Sequence, residues 1–354
     1  MQTIIKKLEN QERLNEEEAN ELWDLDLFTL GKYAQKIRTN LHGKKVYFNV
    51  NRHINPTNIC ADTCKFCAFS AHRKNPNPYT MTHEEIMKIV DETVLRDTKE
   101  IHIVSAHNKN TSWQWYLEIF KMIKQKYPFL HIKALTAAEV DFLSRTFNMS
   151  YEEVIDKMLE YGVDSMPGGG AEIFDEEIRK KICHGKVSSQ NWLKIHQLWH
   201  EKGRLSNATM LFGHIEERKH RINHMIRLRN LQDQTKGFNA FIPLVWQQDN
   251  SFITGKKPLG SIEILKTLAI ARIVLDNIKN IKAYWATMGI NLAMVAQDFG
   301  ANDLDGTIEK ESIQSAGGAK SSNGLNLNTF IQMIQSSGYI AIERDSLYNE
   351  LKTY

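Results

Sequence analysis

Short runs of apolar and β-branched residues alternate along the chain with longer stretches whose apolar residues recur at helical spacing. A short run bounded by turn residues predicts a strand, and recurrence after three and four residues predicts an amphipathic helix. The alternation begins near residue 45. It predicts eight strands, at residues 46–50, 100–105, 131–135, 163–166, 207–212, 238–244, 281–286 and 296–299.

The intervening helices carry clearer signals of where they begin. Thr82 and Glu85 have the spacing of a capping box, and Ser150 and Glu153 repeat it. Residues 1–44 are largely polar, with apolar positions near their middle that share one helical face, and they predict an N-terminal helical extension. Further helices are predicted at residues 113–126, 175–182, 190–202, 220–235 and 263–277.

Strands that alternate with helices imply a parallel sheet, and eight such units favour an α/β fold of the (β/α)8 TIM-type barrel. An open doubly wound sheet is the structural alternative. We expect a helical extension at residues 1–44 and a barrel domain at residues 45–354 that includes C-terminal helices. Gly, Asn and Pro follow several predicted strands. In a barrel these loops lie on one face, where the chemistry is expected.

Charge and hydropathy narrow the class of protein. The 354 residues carry 45 Lys and Arg against 42 Asp and Glu, a net charge of +3, which argues against a dedicated binder of nucleic acid. No run of about 18 apolar residues is present, so no membrane-spanning helix is expected. The N-terminal segment lacks the apolar centre of a signal peptide. We therefore expect a cytoplasmic protein without a membrane partner.

The four cysteines are the most informative residues. Three of them, Cys60, Cys64 and Cys67, form a C-x3-C-x2-C motif on the loop after the first predicted strand. A disulfide framework would spread its cysteines, so this clustering indicates a reduced chain with a metal or cluster site. Three thiolates would leave one iron of a [4Fe–4S] cluster without a protein ligand. A substrate or cofactor could chelate at that open position.

A zinc site is the alternative from another class, that of a binding protein without catalysis. Structural zinc takes four ligands, so His53, His72 or Cys183 would have to complete the three cysteines. The spacing favours the iron–sulfur cluster, because zinc sites favour paired C-x2-C units. Cys183 stands alone, and a lone cysteine is most often a small buried apolar residue. We expect it to be structural.

The motif C-x3-C-x-F-C resembles that of the radical S-adenosylmethionine (SAM) superfamily. The resemblance implies that the fourth iron chelates SAM, and that one electron from the cluster cleaves SAM to methionine and a 5′-deoxyadenosyl radical. The segment N-R-H-I-N-P-T-N at 51–58, the run P-G-G-G-A-E-I-F at 167–174 and the segment H-I-E-E-R at 214–218 are similar to the aminofutalosine synthase family. Together the match covers roughly residues 45–350.

This resemblance implies that SAM is a co-substrate. The radical would add to 3-[(1-carboxyvinyl)oxy]benzoate, and rearrangement with loss of bicarbonate would give 6-amino-6-deoxyfutalosine in menaquinone biosynthesis. It also implies a reductant such as flavodoxin or ferredoxin, and it leaves the oligomeric state open. Cyclic dehypoxanthine futalosine synthase and the deazaflavin-forming FO synthase have similar motifs and stay as alternatives. Ser105-Ala106 departs from the Gly-Gly pair that is usual in these families after the second strand.

The resemblance and the chemistry of a dicarboxylate substrate assign candidate roles to individual residues. Two carboxylates in a shielded pocket call for cationic partners. His53 and Arg73 are expected to be catalytic, with a histidine that only orients its loop as the alternative for His53. Asp298, Asn302, Asp303 and Asp305 surround the last predicted strand and either line the pocket or build turns. The expected cofactor-binding residues are Phe66, Ser105, Gly168, Gly169, Glu172 and Arg179, and the expected metal ligands are Cys60, Cys64 and Cys67.

Overall fold

The computed structural model describes residues 2–71, 77–95, 98–308, 313–316 and 325–354. Before the first strand come α1 (Gln2–Asn10), α2 (Glu16–Glu21), a 3₁₀ turn at Leu22–Asp24, and α3 (Leu27–His42). Arg13, between α1 and α2, donates hydrogen bonds to Asp233 and to Asp276, at 2.6 and 2.7 Å for the nearest atoms. The N-terminal helices are thereby held against helices that come much later in the chain.

The parallel strands form a ring. Strands β2–β3–β4 pair in register, and bridges from Lys133 to Ser165 and from Met166 to Ser206 lead on to β5–β6–β7. A bridge from Lys282 to Asp303 reaches β8, which pairs with β1, and β1 runs into β2. This confirms the predicted TIM-type barrel. The strands are β1 (Lys45–Asn49), β2 (Asn51–Ile54), β3 (Glu100–Ile103), β4 (His131–Ala134), β5 (Ser206–Phe212), β6 (Phe238–Val245), β7 (Asn280–Ile281) and β8 (Asp303–Gly306).

The outer helices begin where their capping residues predict. The capping boxes of Thr82 with Glu85 and Ser150 with Glu153 are both present, and a third, of Thr136 with Glu139, begins α6, a helix absent from the prediction. The helices are α4 (His83–Val94), α5 (Trp113–Lys126), α6 (Ala137–Phe147), α7 (Tyr151–Glu160), α8 (Glu176–Ile182), α9 (Ser189–Glu201), α10 (Arg218–Thr235), α11 (Ser261–Val274), α12 (Trp285–Met288), α13 (Ile290–Val295), α14 (Ile313–Ala316) and α15 (Leu327–Ser336).

The prediction of the last strand was wrong. Residues Ala296–Phe299 form a 3₁₀ helix, and the eighth strand is Asp303–Gly306. The reason is chemical: this strand carries two buried aspartates, Asp303 and Asp305, so it lacks the apolar run by which strands were sought. The seventh strand was predicted too long, because its chain turns into α12 at Trp285.

A C-terminal hairpin lies beside the first strand, where only helices were expected. Strand β9 (Ile340–Arg344) pairs parallel to β1, and β10 (Glu350–Thr353) returns antiparallel to it. Arg344 is buried and donates from Nε to Asp303 Oδ2 at 2.7 Å, while the Ser346 hydroxyl donates to Glu100. The hairpin therefore contributes polar side chains to the barrel interior. In the described part of the chain the helices are too short or too polar to cross a membrane.

Candidate active site

A cavity of about 260 Å³ lies inside the barrel and reaches the loops that follow its strands. Its rim comprises the cysteine loop after β2, the segment after β3 and the glycine run at 168–170. Its floor lies deeper, on the strands themselves. Nine of the eleven candidate residues line it, namely His53, Cys60, Cys64, Phe66, Cys67, Ser105, Gly168, Gly169 and Glu172. Their functional roles stay predictions.

The cysteine loop is held by backbone and side-chain hydrogen bonds at both of its ends. Asn58 accepts from Tyr79 N and donates to Asn77 O, both at 2.9 Å. Farther along, Ala61 N donates to His107 O at 2.8 Å and Lys65 N donates to Ile182 O at 2.7 Å. These hydrogen bonds fix the path of the loop across the barrel mouth, and the path of the loop in turn places the three cysteine sulfurs.

The three sulfurs of the motif border one space, and none of the chain's four cysteines forms a disulfide. Burial raises the pKa of the Cys60 thiol and raises that of Cys64 well above its ordinary value. A thiol in such a place becomes a thiolate readily only when a metal or cluster compensates its charge. The donor set therefore fits a metal-containing group. Among the described residues no three His, Cys, Asp or Glu side chains are close enough to share a single metal ion.

Cys183 lies outside the cavity lining. It ends α8, is 2% exposed, and its backbone N–H donates to Arg179 O at 2.8 Å. Burial raises the pKa of its thiol to about 11. These surroundings are those of a buried structural cysteine, as predicted.

Lys186 is a cavity residue that the sequence reasoning missed. Its Nζ donates to Glu172 Oε1 at 2.8 Å and lies 5.6 Å from the centre of the Phe66 ring. Burial alone would lower the pKa of this ammonium, but Glu172 and the nearby sulfur groups raise it well above its ordinary value. A permanent positive charge thus lies next to the cysteine loop. A lone lysine in a loop gave no signal of this in the sequence.

The glycines at 168–170 are required by the protein's own packing. A Cβ on Gly168 would lie 2.7 Å from Asn207 O, and one on Gly169 would lie 2.8 Å from a methyl carbon of Thr136. Gly170 has a φ of +90° and faces Ala138 just as closely. The carbonyl oxygens of all three accept hydrogen bonds from protein side chains. Because N–H and C=O point oppositely across a planar peptide, the N–H groups of the residues after them turn away from those partners.

Ser105 lies on the opposite rim and is held by Glu139, which is outside the cavity lining. Ser105 N donates to Glu139 Oε1 at 2.8 Å, so a ligand contact by Ser105 would involve its carbonyl or hydroxyl group. Beside it, His107 lies 2.8 Å from Asp62 through Nδ1 and stacks on the Phe142 ring at 4.8 Å between ring centres. Asp62 and His107 also line the cavity. They are absent from the predicted site because Asp62 occupies a variable position of the cysteine motif and His107 follows β3 without a motif of its own.

Arg179 does not lie at the cavity, contrary to the prediction that it binds a cofactor. Its guanidinium is buried and donates to the carbonyl oxygens of Gly170, Ala171, Ile173 and Val187. All of these hydrogen bonds go to backbone carbonyl groups, so the guanidinium fixes the segment of chain that follows the glycine run. Arg73, predicted to be catalytic, and His72, a candidate zinc ligand, lie outside the described residues.

The floor of the cavity is charged. Lys133 Nζ donates to Glu100 Oε2 at 2.7 Å, and Lys282 Nζ donates to Asp305 Oδ1. Asp305 therefore lines the pocket, which decides the alternative left open by the sequence. The Lys282 ammonium is the main cause that lowers the pKa of Asp305 to about 2 against the opposing effect of burial. His53 and His102 lie among these ion pairs.

Comparison with known proteins assigns this arrangement to a family. Residues 54–228 match the radical SAM superfamily model, and residues 235–353 match the model of the CofH/MqnC C-terminal region. Aminodeoxyfutalosine synthase of Thermus thermophilus is 39% identical over 99% of this chain and 96% of its own. Cyclic dehypoxanthine futalosine synthase of Halalkalibacterium halodurans is 32% identical over 99% of this chain and 95% of its own.

A solved structure supports the fold. Methylornithine synthase superposes with a TM-score of 0.74, covering 95% of this chain and 96% of its own, at 16% sequence identity. At that identity the likeness concerns the fold alone. The barrel and the extent of the chain therefore agree with the family match.

Proposed function

The chain belongs to the radical SAM superfamily and is a radical SAM enzyme, and from this premise we propose that it is an aminodeoxyfutalosine synthase. In the proposed reaction the 5′-deoxyadenosyl group of SAM is joined to 3-[(1-carboxyvinyl)oxy]benzoate and one water is consumed, which gives 6-amino-6-deoxyfutalosine, methionine and bicarbonate. The product would serve menaquinone biosynthesis. Three cysteines that line one cavity with Lys186, in a chain 39% identical to a named synthase, carry the proposal.

The rim residues would hold the cofactor and the co-substrate. Cys60, Cys64 and Cys67 supply three thiolates for a [4Fe–4S] cluster, which leaves a position open for SAM. When bound and reduced, such a cluster supplies the electron that cleaves the sulfonium of SAM. Lys186 offers its ammonium to the carboxylate of SAM, and Glu172 offers a hydrogen-bond acceptor to a ribose hydroxyl or an amino group.

The floor suits the other substrate, which has an aromatic ring between two carboxylates. Ile242, Leu244 and Tyr284 provide apolar and aromatic surface on one wall. Below it lie Lys133 and Lys282, each paired with a carboxylate, so this part of the cavity is polar. A shielded barrel interior also keeps water from a reactive species, since the protein's part in such chemistry is orientation and exclusion of side reactions.

We further propose flavodoxin or ferredoxin as the electron donor. Residues 1–44 would be an extension of a barrel domain at residues 45–354. The cytoplasm, where thiols stay reduced, suits three free cysteines at the site.

The decisive experiment is an anaerobic product assay. The purified chain is reconstituted with iron and sulfide, then given SAM, dithionite and 3-[(1-carboxyvinyl)oxy]benzoate, and the mixture is analysed by mass spectrometry. We expect 6-amino-6-deoxyfutalosine in amounts that exceed the enzyme. SAM cleavage that yields only 5′-deoxyadenosine would reject this substrate.

Two parallel assays separate the alternatives. Replacement of the benzoate by dehypoxanthine futalosine tests the cyclic synthase reaction, an alternative that the 32% identical cyclic synthase supports. Metal analysis of anaerobically prepared protein tests the zinc-binding alternative. Stoichiometric zinc without iron would reject the iron–sulfur cluster and the enzyme function with it.

A further inference from the structure

His53 and His102 form a pair at the floor of the cavity. They occupy matched register positions on the neighbouring strands β2 and β3, so their side chains extend from the same face of the sheet. His102 Nδ1 lies 3.3 Å from His53 Nε2, with the rings edge to face at 4.6 Å between centres. Both side chains are half-buried and line the cavity. One ring therefore donates to the other, and both are within reach of a ligand.

The pair is uncharged while the cavity holds no anion. Burial is the main cause that lowers the pKa of His53 to about 4 and that of His102 well below its ordinary value. Asp305 and Glu100 act on His53 in the opposite direction, while Lys133 and Lys282 add to the lowering. These four groups, from β8, β3, β4 and the residue after β7, are the charged neighbours that act on His53.

The surrounding charges are already matched. Each described lysine of the floor has a carboxylate partner, Lys133 with Glu100 and Lys282 with Asp305, and Arg344, which lies outside the cavity lining, pairs with Asp303. A carboxylate that enters this space would bring a negative charge with no unpaired cation to meet it among the described residues that line the floor. A buried charge is costly unless it is compensated. Of the described groups that face the floor, the histidines can gain a positive charge at neutral pH.

The pair also has unused hydrogen-bonding capacity. His102 Nε2 is buried and has no hydrogen-bond partner among the residues that the structure describes. Buried polar atoms are nearly always paired in native proteins, so an exception calls for a reason. A proton placed on the pair turns its acceptor nitrogens into donors, which a carboxylate can accept.

Resting on the proposed function, we propose that His53 and His102 together form a carboxylate subsite that takes up one proton when the benzoate carboxylate of the substrate binds. The benzoate end is assigned because the enol ether must lie near the cysteine loop and Lys186, at the other end of the cavity. The pair would thus supply the missing positive charge only when an anion is present.

The test is calorimetric titration of the reconstituted enzyme with 3-[(1-carboxyvinyl)oxy]benzoate, with SAM present and reductant omitted. Titrations in two buffers with different ionisation enthalpies give the number of protons taken up. We expect about one proton near pH 7. By linkage, the affinity should then fall about tenfold for each unit of pH increase. The benzoate methyl ester, which lacks this charge, should bind without proton uptake.

The double variant His53→Gln/His102→Gln keeps polar side chains that cannot be protonated. We expect no proton uptake, a pH-independent affinity, and an affinity at least about tenfold weaker at pH 6.5. The matched control is His42→Gln/His83→Gln, which removes two histidines from outer helices and should titrate as the parent does. Undiminished uptake in the cavity variant, or none in the parent, would overturn the proposal.

The outcomes separate this subsite from the proposed function. If the parent forms the adenosyl product but takes up no proton, the subsite is wrong and the synthase function stands. If the benzoate binds with proton uptake but no product forms, the subsite stands and the function is wrong. Should the double variant not fold, the parent's two-buffer titration alone decides the matter.

Discussion

Two pairs of histidines in this barrel differ in what surrounds them. His196 and His200, one turn apart on α9, both contact the Ser206 hydroxyl, at 2.8 and 2.7 Å, and His200 also contacts Thr235. Their neighbours are aromatic rings. His53 and His102 contact each other and lie among lysines and carboxylates at a cavity. Both pairs are uncharged, for the same reason of burial.

The comparison teaches that a depressed pKa alone does not identify a functional histidine. For His200 burial is the whole cause of the lower pKa, and no charged group in the described part of the chain stabilises the protonated ring. For His53 two carboxylates partly offset the effect of burial on the pKa. In the proposed subsite an anionic ligand would raise this pKa further and favour the protonated ring. Perturbed titration becomes informative when it coincides with a cavity and with charged partners.

The largest effect is expected at the rim of the cavity, because the His53–His102 pair has a function only if this cavity is the reaction site. Cys64→Ser should abolish SAM cleavage, since the cluster would lose one of its three ligands. The assay measures 5′-deoxyadenosine after reduction with dithionite. Cys183→Ala, which removes the cysteine outside the cavity, should retain cleavage. Full activity of the Cys64 variant would sink the assignment of the cluster ligands.

The next effect tests the ion pairs that surround His53 and His102 and are absent around His196 and His200 in the described structure. Lys133→Met would leave Glu100 buried without its ammonium partner, and breaking such a pair costs about 3–5 kcal/mol. Urea unfolding should show that loss in the free energy of unfolding. Lys133→Met/Glu100→Gln, which removes both charges, should recover much of it. An unchanged midpoint in the single variant would contradict the view that this pair is buried and strong.

A smaller effect is expected at the His196–His200 pair, which lies away from the cavity. Ser206→Ala removes the hydroxyl that both His196 and His200 contact, and we expect a loss of about 1–3 kcal/mol in the free energy of unfolding. The kcat/KM of the folded enzyme should not change, because Ser206 is not part of the cavity lining. The exposed Ser337→Ala control should stay within about 0.5 kcal/mol. A selective loss of activity in the Ser206 variant would erase the distinction between the two pairs.

The last effect concerns the pH dependence of stability and is measured over a single pH unit. The pKa of His200 is about 4 in the folded chain and about 6.5 when unfolded, so the unfolded state binds more protons between these values. The free energy of unfolding should therefore fall as pH drops from about 6.5 towards 4, by up to about 1.4 kcal/mol per pH unit for this residue. Denaturation curves of His200→Gln should lose that share of the slope. Parallel curves for parent and variant would refute this.

Much of the fold was predictable because its signals are local. Capping boxes, apolar periodicity and turn residues lie within a few positions of each other, so the helix starts and the barrel class followed from them. The eighth strand was missed since Asp303 and Asp305 are stabilised by Arg344 and Lys282, partners that strand patterns do not reveal. The C-terminal hairpin was missed as well, and it brings Arg344 into the barrel.

The residues of the candidate site also fall into those with a local sequence signal and those without one. The cysteine motif and the glycine run could be found from spacing, whereas Lys186 and His102 could not. Arg179 shows the opposite error, because an arginine after the glycine run was expected at a ligand and instead binds backbone carbonyls. Whether a charged side chain faces a cavity or the backbone depends on which loops pack beside it. Adjacent residues in the sequence give no sign of this.

The sequence by itself determined the class of fold and predicted the cluster ligands, since a regular strand–helix alternation and three thiols within one short loop are properties of neighbouring residues. Only the tertiary structure decided which charges share the barrel interior. His53 meets His102 across two strands, and Lys282 meets Asp305 across two more. The physical reason is that electrostatic pairing acts through space, between residues far apart in the chain, while capping and periodicity act along it.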